Sequence, residues 1–445
     1  MKLTIIGGGG FRVPLVYQAA TSPDAPVNVD ELAFFDTSLD RMATMRSVIA
    51  QLPGPFGTSL VFTDNLDQAL EGADFVFCAI RVGGLTGRVS DERVALDLGV
   101  LGQETTGPGG LAYAMRTIPE MVHLAQRMQA VAPNAYLVNF TNPAGIVTEA
   151  LTPLLGNRVV GICDTPIGML RRIGRIIGED VTSYDYVGLN HLGWLRSVSV
   201  GGTDQLPAIL DDTTALAQIE EARLIGFDWV RQLGAIPNEY LYYYYYNREA
   251  VASILSSGAT RGEKVLAQQT HFLDAAAANP DQAMRLWTQA TDAREATYMA
   301  EARPLGHEAD RLAEDLEGGY HIVALEIMAA IATGKTKNLI LNVTNHNDNG
   351  RVVDCLPQKC VVEVPCRVDA NGITPLPVAP ATGHMQGLLT SVKAVEQLTI
   401  RAVAEKSANL AWQAFATHPL VNSVNIGRDL VRRYQQVHPE LAYLG

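Results

Sequence analysis

The sequence predicts an α/β protein, with a doubly wound parallel sheet in its first third and a mixed α+β lobe after it. Three observations carry that expectation. Leu3-Thr4-Ile5-Ile6 is a short apolar run that passes at once into Gly7-Gly8-Gly9-Gly10, after which Val13, Leu15, Val16, Ala19 and Ala20 recur at helical spacing. Further apolar runs at 32–35, 75–80, 135–138 and 159–162 alternate with helical patterns at 115–131 and 145–155. After Cys163 the grammar changes to two β-rich runs followed by long helical stretches. The boundary is therefore expected near 165, giving a Rossmann-type unit at 1–165 and a second unit at 166–445.

Taken in order, the first elements are a strand, a glycine turn and a helix, the context a dinucleotide fingerprint requires. Glycines let the backbone approach a pyrophosphate, and a helix N-terminus offers it unpaired N–H groups. Gly7, Gly9 and Gly10, with Phe11 and Arg12 behind them, are the candidate cofactor contacts. The second strand, Leu32-Ala33-Phe34-Phe35, ends in Asp36, where an acid typically holds the ribose hydroxyls and favours NAD over NADP. Arg41, five residues on, blurs that preference. A glycine turn in some other α/β protein is the plain alternative for the first motif alone.

In the second unit, runs at 184–189 and 194–200 read as strands, and helices are expected at 215–233, 262–290 and 301–316. A mixed segment with strands at 339–343 and 360–368 precedes closing helices at 384–416 and 421–438. No linker-like stretch separates the halves. The site is expected in the crevice at the carboxyl ends of the strands.

Bulk properties narrow the class. With 445 residues, 47% hydrophobic and 18% charged, the chain is long enough for two lobes sharing an interface. A net charge of −13 leaves no basic surplus for a nucleic-acid or anionic-membrane partner, although a few local arginines suffice for a small anion. No apolar run is long enough to span a membrane, and the N-terminus does not read as a signal segment. Five cysteines form no CxxC pair, so a cytoplasmic, reduced protein is expected.

Polar residues gather where strands should end. Arg81-Val82-Gly83-Gly84 follows one strand, with Arg88 and Asp91-Glu92-Arg93 close behind, and Gln103 to Gly110 is a polar, glycine-rich loop. Asn139 to Pro143, Cys163-Asp164 and Gly188-Leu189-Asn190-His191 follow others, and Asn238-Glu239-Tyr240 opens a tyrosine run through Tyr246. Cys163 and His191 read as two ligands of an open metal site, or as a buried thiol and a hydrogen-bonded core histidine. Most of the tyrosine run reads as a packed helix face.

The order GGGG, RVGGL, GQETTGPGG, TNPAG, CDTP, GLNH, NEYLYYYYY and VEVPC resembles glycoside hydrolase family 4, above all its 6-phospho-β-glucosidases, over nearly the whole chain. That family is a known NAD-dependent exception to two-carboxylate glycoside hydrolysis. The resemblance implies lactate/malate dehydrogenase-like architecture, NAD and a divalent metal, usually Mn2+, as cofactors, and a small phosphorylated disaccharide or glycoside as substrate. It also implies a redox-assisted elimination. C3 of the sugar is oxidised, a tyrosine removes the C2 proton, the C1–O bond breaks, water adds, and the hydride returns. By motif position Cys163 and His191 would ligate the metal, Tyr240 would be the base and Asp164 the proton donor. Asn142 would touch sugar hydroxyls, and Arg88 and Arg261 would bind the 6-phosphate through their planar forks. A homodimer or homotetramer is implied as well.

One residue departs from the β-type pattern. β-type members usually carry Asn after the cysteine and α-type members Asp, so Asp164 leaves a 6-phospho-α-glycosidase as the alternative. Two rivals lie outside the family: an NAD-dependent 2-hydroxy acid dehydrogenase, which shares the fold, and a non-catalytic NAD-binding regulator.

Overall fold

The computed structural model describes residues 1–179, 181–303 and 319–445. Six strands alternate with helices in the first part: β1 (Lys2–Ile6), β2 (Glu31–Phe35), β3 (Ser59–Thr63), β4 (Phe75–Cys78), β5 (Tyr136–Asn139) and β6 (Val159–Gly161). All their pairings are parallel, in the order β6-β5-β4-β1-β2-β3. This is the doubly wound order, with its switch point between β1 and β4. Central strands are buried on both faces, as a parallel sheet covered by helices requires, and Ile5, Phe34, Val76 and Leu137 are fully enclosed. Each such aliphatic or aromatic side chain contributes about 1.5–3 kcal/mol through burial, so a charge at Val76 would break the layer.

Seven more strands follow: β7 (Ser183–Leu189), β8 (Leu192–Val200), β9 (Thr203–Asp204), β10 (Ile236–Pro237), β11 (Lys337–Thr344), β12 (Val361–Asp369) and β13 (Gly372–Pro375). Rather than forming a separate sheet, they extend the first one. The antiparallel order β10-β8-β7-β12-β11 joins it at β6 through one register pair, Asn342 with Gly161. A single pair, Glu363 with Gly188, likewise joins β12 to β7. Asn342 Nδ2 donates to Glu363 Oε1 at 2.9 Å, so a buried polar bond between β11 and β12 links the residues that make the two junctions.

Several expected elements have other bounds. The stretch 215–233 is three short helices, Thr213–Leu216, Glu220–Ile225 and Phe227–Leu233, because Gly226 at φ +93 interrupts the run. The stretch 262–290 is broken at Pro280 into Arg261–Ala278 and Ala283–Glu295. The stretch 384–416 divides into Gly383–Ala404 and Ala408–Thr417, where Ser407 caps the second helix. The helix expected from 115 begins at Pro108, taking in the end of the glycine-rich loop. The helix expected at 301–316 lies almost wholly outside the described residues. Among those described, no helix is long and apolar enough to cross a membrane.

Candidate active site

The glycine turn after β1 is pinned from both sides. Gly7 and Gly8 N–H donate to Phe35 O at 2.9 and 2.7 Å, and Gly9 N–H donates to Asp36 Oδ2 at 2.8 Å. Gly7 sits at φ +95, and a Cβ there would lie 2.8 Å from Ala79 O; a Cβ at Gly9 would lie 2.9 Å from both Asp36 Oδ2 and Arg41 Cβ. The helix Val13–Thr21 then starts with no side chain capping its first turn, which leaves its N–H groups for an anion. A cradle without side chains at an uncapped helix start fits a dinucleotide. The Phe11 ring packs on Phe272 and Trp287, so Phe11 can meet a cofactor through its backbone alone. Arg12 stacks over Tyr320 and points toward Glu295 at 3.8 Å. Arg41 Nε is buried with no hydrogen-bond partner among the described residues.

Motifs far apart in sequence are tied together at this end of the sheet. Asn139 binds Thr141 at the start of the TNPAG loop and Thr148 in the helix Ala144–Leu155, and Thr141 Oγ1 accepts from Ile80 N–H after β4. Asn190 Oδ1 accepts from Ala144 N–H at 3.1 Å, joining that loop to the turn between β7 and β8. His191 occupies the turn at φ +64, an uncommon conformation for a histidine. Its Nδ1 lies 3.2 Å from Thr105 Oγ1, and Gln103 Oε1 in turn accepts from the backbone N–H groups of Thr105 and Thr106. The GQETT segment thus fixes the His191 ring, as partners of metal-binding imidazoles do.

Tyr240 lies flat on that ring, with centroids 3.8 Å apart and an interplanar angle of 8°. It is placed by Asn238, whose Oδ1 caps the Tyr240 N–H and whose own N–H donates to Gly193 O on β8. The Tyr298 hydroxyl stands 3.4 Å from the Tyr240 hydroxyl and 2.9 Å from Glu239 Oε1, and Thr165 Oγ1 donates to the same Glu239 oxygen at 2.7 Å. Burial raises the Tyr240 phenol above its ordinary value, and Glu239 and Glu104 add to the effect. Three other tyrosines of the run are tied into the surrounding packing: Tyr242 and Tyr246 donate to Glu301 O and Ile225 O, and Tyr245 accepts from Trp194 Nε1.

The Cys163 thiol is buried and pushed well up, first by burial and then by Glu363, Asp164 and Glu239. His191 is pushed down to about 4 by burial, so its imidazole is neutral near pH 7. Among the described residues no three His, Cys, Asp or Glu side chains converge on one metal position. A neutral imidazole and a thiol that needs a nearby cation to ionise fit an open, two-ligand metal site, the remaining positions going to substrate oxygens. Asp164 precedes the helix Thr165–Ile177 without capping it. Asn142 donates to Phe140 O at 3.3 Å, while its Oδ1 is a buried acceptor with no partner among the described residues, which fits a sugar hydroxyl.

Beside this group lie the arginines. Arg88 is 2% exposed and bonds Glu92 Oε1 at 2.8 Å and Glu104 Oε2 at 2.7 Å; Arg81 also pairs with Glu104. Glu92 Oε2 accepts from Gly262 N–H at 2.8 Å, anchoring the helix that starts at Arg261. Arg261 donates to Thr297 O and, at 3.1 Å, to Thr297 Oγ1, and lies over Tyr298. Burial alone would raise the Glu104 carboxyl, but Arg88, Arg81, Arg294 and Arg261 hold it well below the usual carboxylate range. Sequence reasoning assigned no role to Glu104, although it stands in the quoted GQETT motif. Arg294, Glu239, Tyr298 and Glu363 it missed as well, and for Arg294 and Tyr298 no motif offered a signal.

A Rossmann cradle facing a tyrosine, a thiol and an imidazole defines an NAD-using enzyme rather than a passive binding module. The chain belongs to glycosyl hydrolase family 4. Residues 2–179 match the model described as "Family 4 glycosyl hydrolase" and residues 186–421 the one described as "Family 4 glycosyl hydrolase C-terminal domain". It is 28% identical to "6-phospho-alpha-glucosidase 1" of Lacticaseibacillus paracasei, over 97% of this chain and 95% of that protein. It resembles the structure of the 6-phospho-beta glucosidase from Thermotoga maritima with manganese, NAD+ and glucose-6-phosphate at a TM-score of 0.81, 26% identical and covering 99% of both chains. A lactate dehydrogenase from a deep-sea metagenome shares the fold alone, at TM-score 0.51 and 13% identity over 91% of this chain and 98% of that one.

Proposed function

We propose that this chain hydrolyses 6-phospho-β-glucosides with NAD+ and a divalent metal, by oxidation at C3, deprotonation at C2 and elimination at C1. The observation that carries the reading is Tyr240 stacked on His191, with the buried Cys163 near enough that its ionisation would bear on the same phenol. When bound, NAD+ supplies a reversible hydride acceptor, and the cation stabilises negative charge at the sugar C2 and C3 oxygens. Cys163 and His191 would hold the cation, and Tyr240 would take the C2 proton. Asn142 would accept from a sugar hydroxyl. Asp164 would deliver a proton to the departing oxygen when the leaving group is a basic alkoxide.

Asp164 is also the observation that favours a second reading, a 6-phospho-α-glycosidase. Identities of 28% and 26% to an α- and a β-type relative do not separate the two. Release of nitrophenol from p-nitrophenyl 6-phospho-α- and 6-phospho-β-glucosides, with and without NAD+, Mn2+ and a reductant, tests both. The expected result is β cleavage that requires NAD+ and metal without net NADH. Full activity of cofactor-stripped, chelated protein would overturn the mechanism, and α preference would select the second reading. Five cysteines without a disulfide among them support a cytoplasmic location, and family analogy supports a homodimer or homotetramer, which sedimentation would test.

A further inference from the structure

The site's arginines are not equivalent. Arg88 spends its hydrogen bonds on Glu92 and Glu104, and Arg81 pairs with Glu104. Arg261 is turned onto the carbonyl and hydroxyl of Thr297 and, at 3.4 Å, onto the carbonyl of Arg294. Arg12 is engaged by Tyr320 and Glu295. Arg294 differs from all of them. Its Nε is buried, and its guanidinium has no hydrogen bond or ion pair among the described residues.

Position adds to this. Arg294 lies in the last turn of the helix Ala283–Glu295, where Arg261 reaches its carbonyl, and it acts on Glu104 together with Arg88 and Arg261. Two of the residues expected to hold the phosphate are therefore its neighbours. We propose that Arg294 is the direct receptor of the substrate's phosphate group, with Arg261 and Arg88 held beside it and Glu104 keeping their forks in place. The inference rests on the phosphorylated-sugar reading above and names the residue that implements it.

An unpaired guanidinium among other guanidiniums is costly until an anion arrives. The Arg294 guanidinium is pushed down to about 9, by burial first and then by Arg12 and Arg261. A phosphate monoester dianion would relieve that repulsion and take two N–H groups at once from the planar fork. The dinucleotide's pyrophosphate has the same chemistry, and Arg12 follows directly on the glycine turn, so the test must separate the two sources.

Arg294→Met and Arg294→Lys would be compared with wild type in the presence of NAD+ and Mn2+. Binding of glucose 6-phosphate, glucose and NAD+ would be followed by calorimetry, and thermal stability by the response to inorganic phosphate. Wild type is expected to bind glucose 6-phosphate well above glucose and to gain Tm in phosphate. Arg294→Met should weaken glucose 6-phosphate about tenfold to a hundredfold, lose the Tm response, leave NAD+ unchanged, and melt no lower than wild type when ligand-free. Arg294→Lys should recover part of the affinity. Unchanged glucose 6-phosphate affinity in Arg294→Met would overturn the inference while the phosphorylated-sugar reading stands, and so would a loss confined to NAD+. A wild type that binds glucose as tightly as glucose 6-phosphate would overturn that reading itself. If the methionine variant fails to fold, the lysine variant decides, because a shorter, unforked cation at a phosphate receptor must still lower affinity several-fold.

Discussion

Charge is held in one cluster of the crevice and withheld in the cluster beside it. Around Glu104 the guanidiniums of Arg81 and Arg88 are pushed further toward their charged forms, and Glu104 is held as a carboxylate between them. Around Tyr240, the Cys163 thiol, the Tyr240 phenol and the Glu239 carboxyl are all pushed toward their neutral forms, chiefly by burial, and Glu363 is pushed up to about 7. His191, pushed down to about 4, is neutral as well. The difference separates recognition from chemistry. Fixed charge suits a substrate anion that never changes its ionisation in the reaction, whereas groups that must ligate a cation or move a proton are kept uncharged until a partner stabilises the charge.

The strongest way to break this comparison is to remove the base. Tyr240→Phe should lower kcat by about 10²–10⁴, since a positioned base typically contributes that much. It should also stop deuterium from solvent entering C2, yet leave glucose 6-phosphate affinity within about twofold, because the arginine cluster is untouched. Continued C2 exchange in the variant would move the role to another group, with Tyr298, 3.4 Å away, the first to test. The Arg294 substitutions make the converse experiment, in which affinity falls and C2 exchange persists at saturating substrate.

A smaller effect should sharpen the neutral cluster alone. Thr105 touches His191 Nδ1 and is held by Gln103, so it orients the imidazole without itself being a metal ligand candidate. Thr105→Val should weaken Mn2+ binding, read by electron paramagnetic resonance, by about tenfold to a hundredfold, as lost outer partners of a metal-binding histidine do. Phosphate binding should be unchanged. If Mn2+ affinity does not move, the Thr105 contact is packing and His191 is oriented by its turn.

The two clusters also differ in how far the sequence revealed them. Strands β1, β2, β4, β5 and β6 stand out because each is a short apolar run between turn residues, and the glycine turn announces what lies above them. β3 escaped notice because its residues are only partly buried at the sheet's edge and Ser59 and Thr63 dilute its apolar pattern. The single continuous sheet was not legible either, since one register pair, Asn342 with Gly161, makes the junction. At the site, Tyr240, His191, Cys163 and Asn142 sit in local motifs. Arg294 and Tyr298 come from a polar, largely exposed helix and the turn after it, and enter the site only through tertiary packing against the helix that starts at Arg261.

The smallest effect expected is on stability against pH, and it follows from the sign of each shift. Glu363 is raised from 4.5 to about 7, so between those values the folded protein holds a proton that the unfolded chain has released. That contribution stabilises below about pH 4.5 and is lost as pH rises through about 7. The buried histidines act in the opposite sense. His191 and His418 are each lowered from 6.5 to about 4 by burial, so the unfolded chain takes up protons first and stability falls as pH drops from about 6.5 toward 4. Each shifted unit amounts to about 1.4 kcal/mol, and because the lowered histidines outnumber the one raised carboxyl, wild-type stability should rise with pH between about 4.5 and 6.5. Glu363→Gln keeps an acceptor for Asn342 and removes the titration, so the stability of that variant should rise with pH more steeply than wild type. His418→Gln, at a histidine whose Nδ1 accepts from Leu420 N–H, should do the reverse. Urea midpoints measured at half-unit steps from pH 4.5 to 7 would show it. Two variants that both retain the wild-type profile would mean that these groups are charged in the folded protein, and that the crevice lacks the neutral cluster on which its division of labour depends.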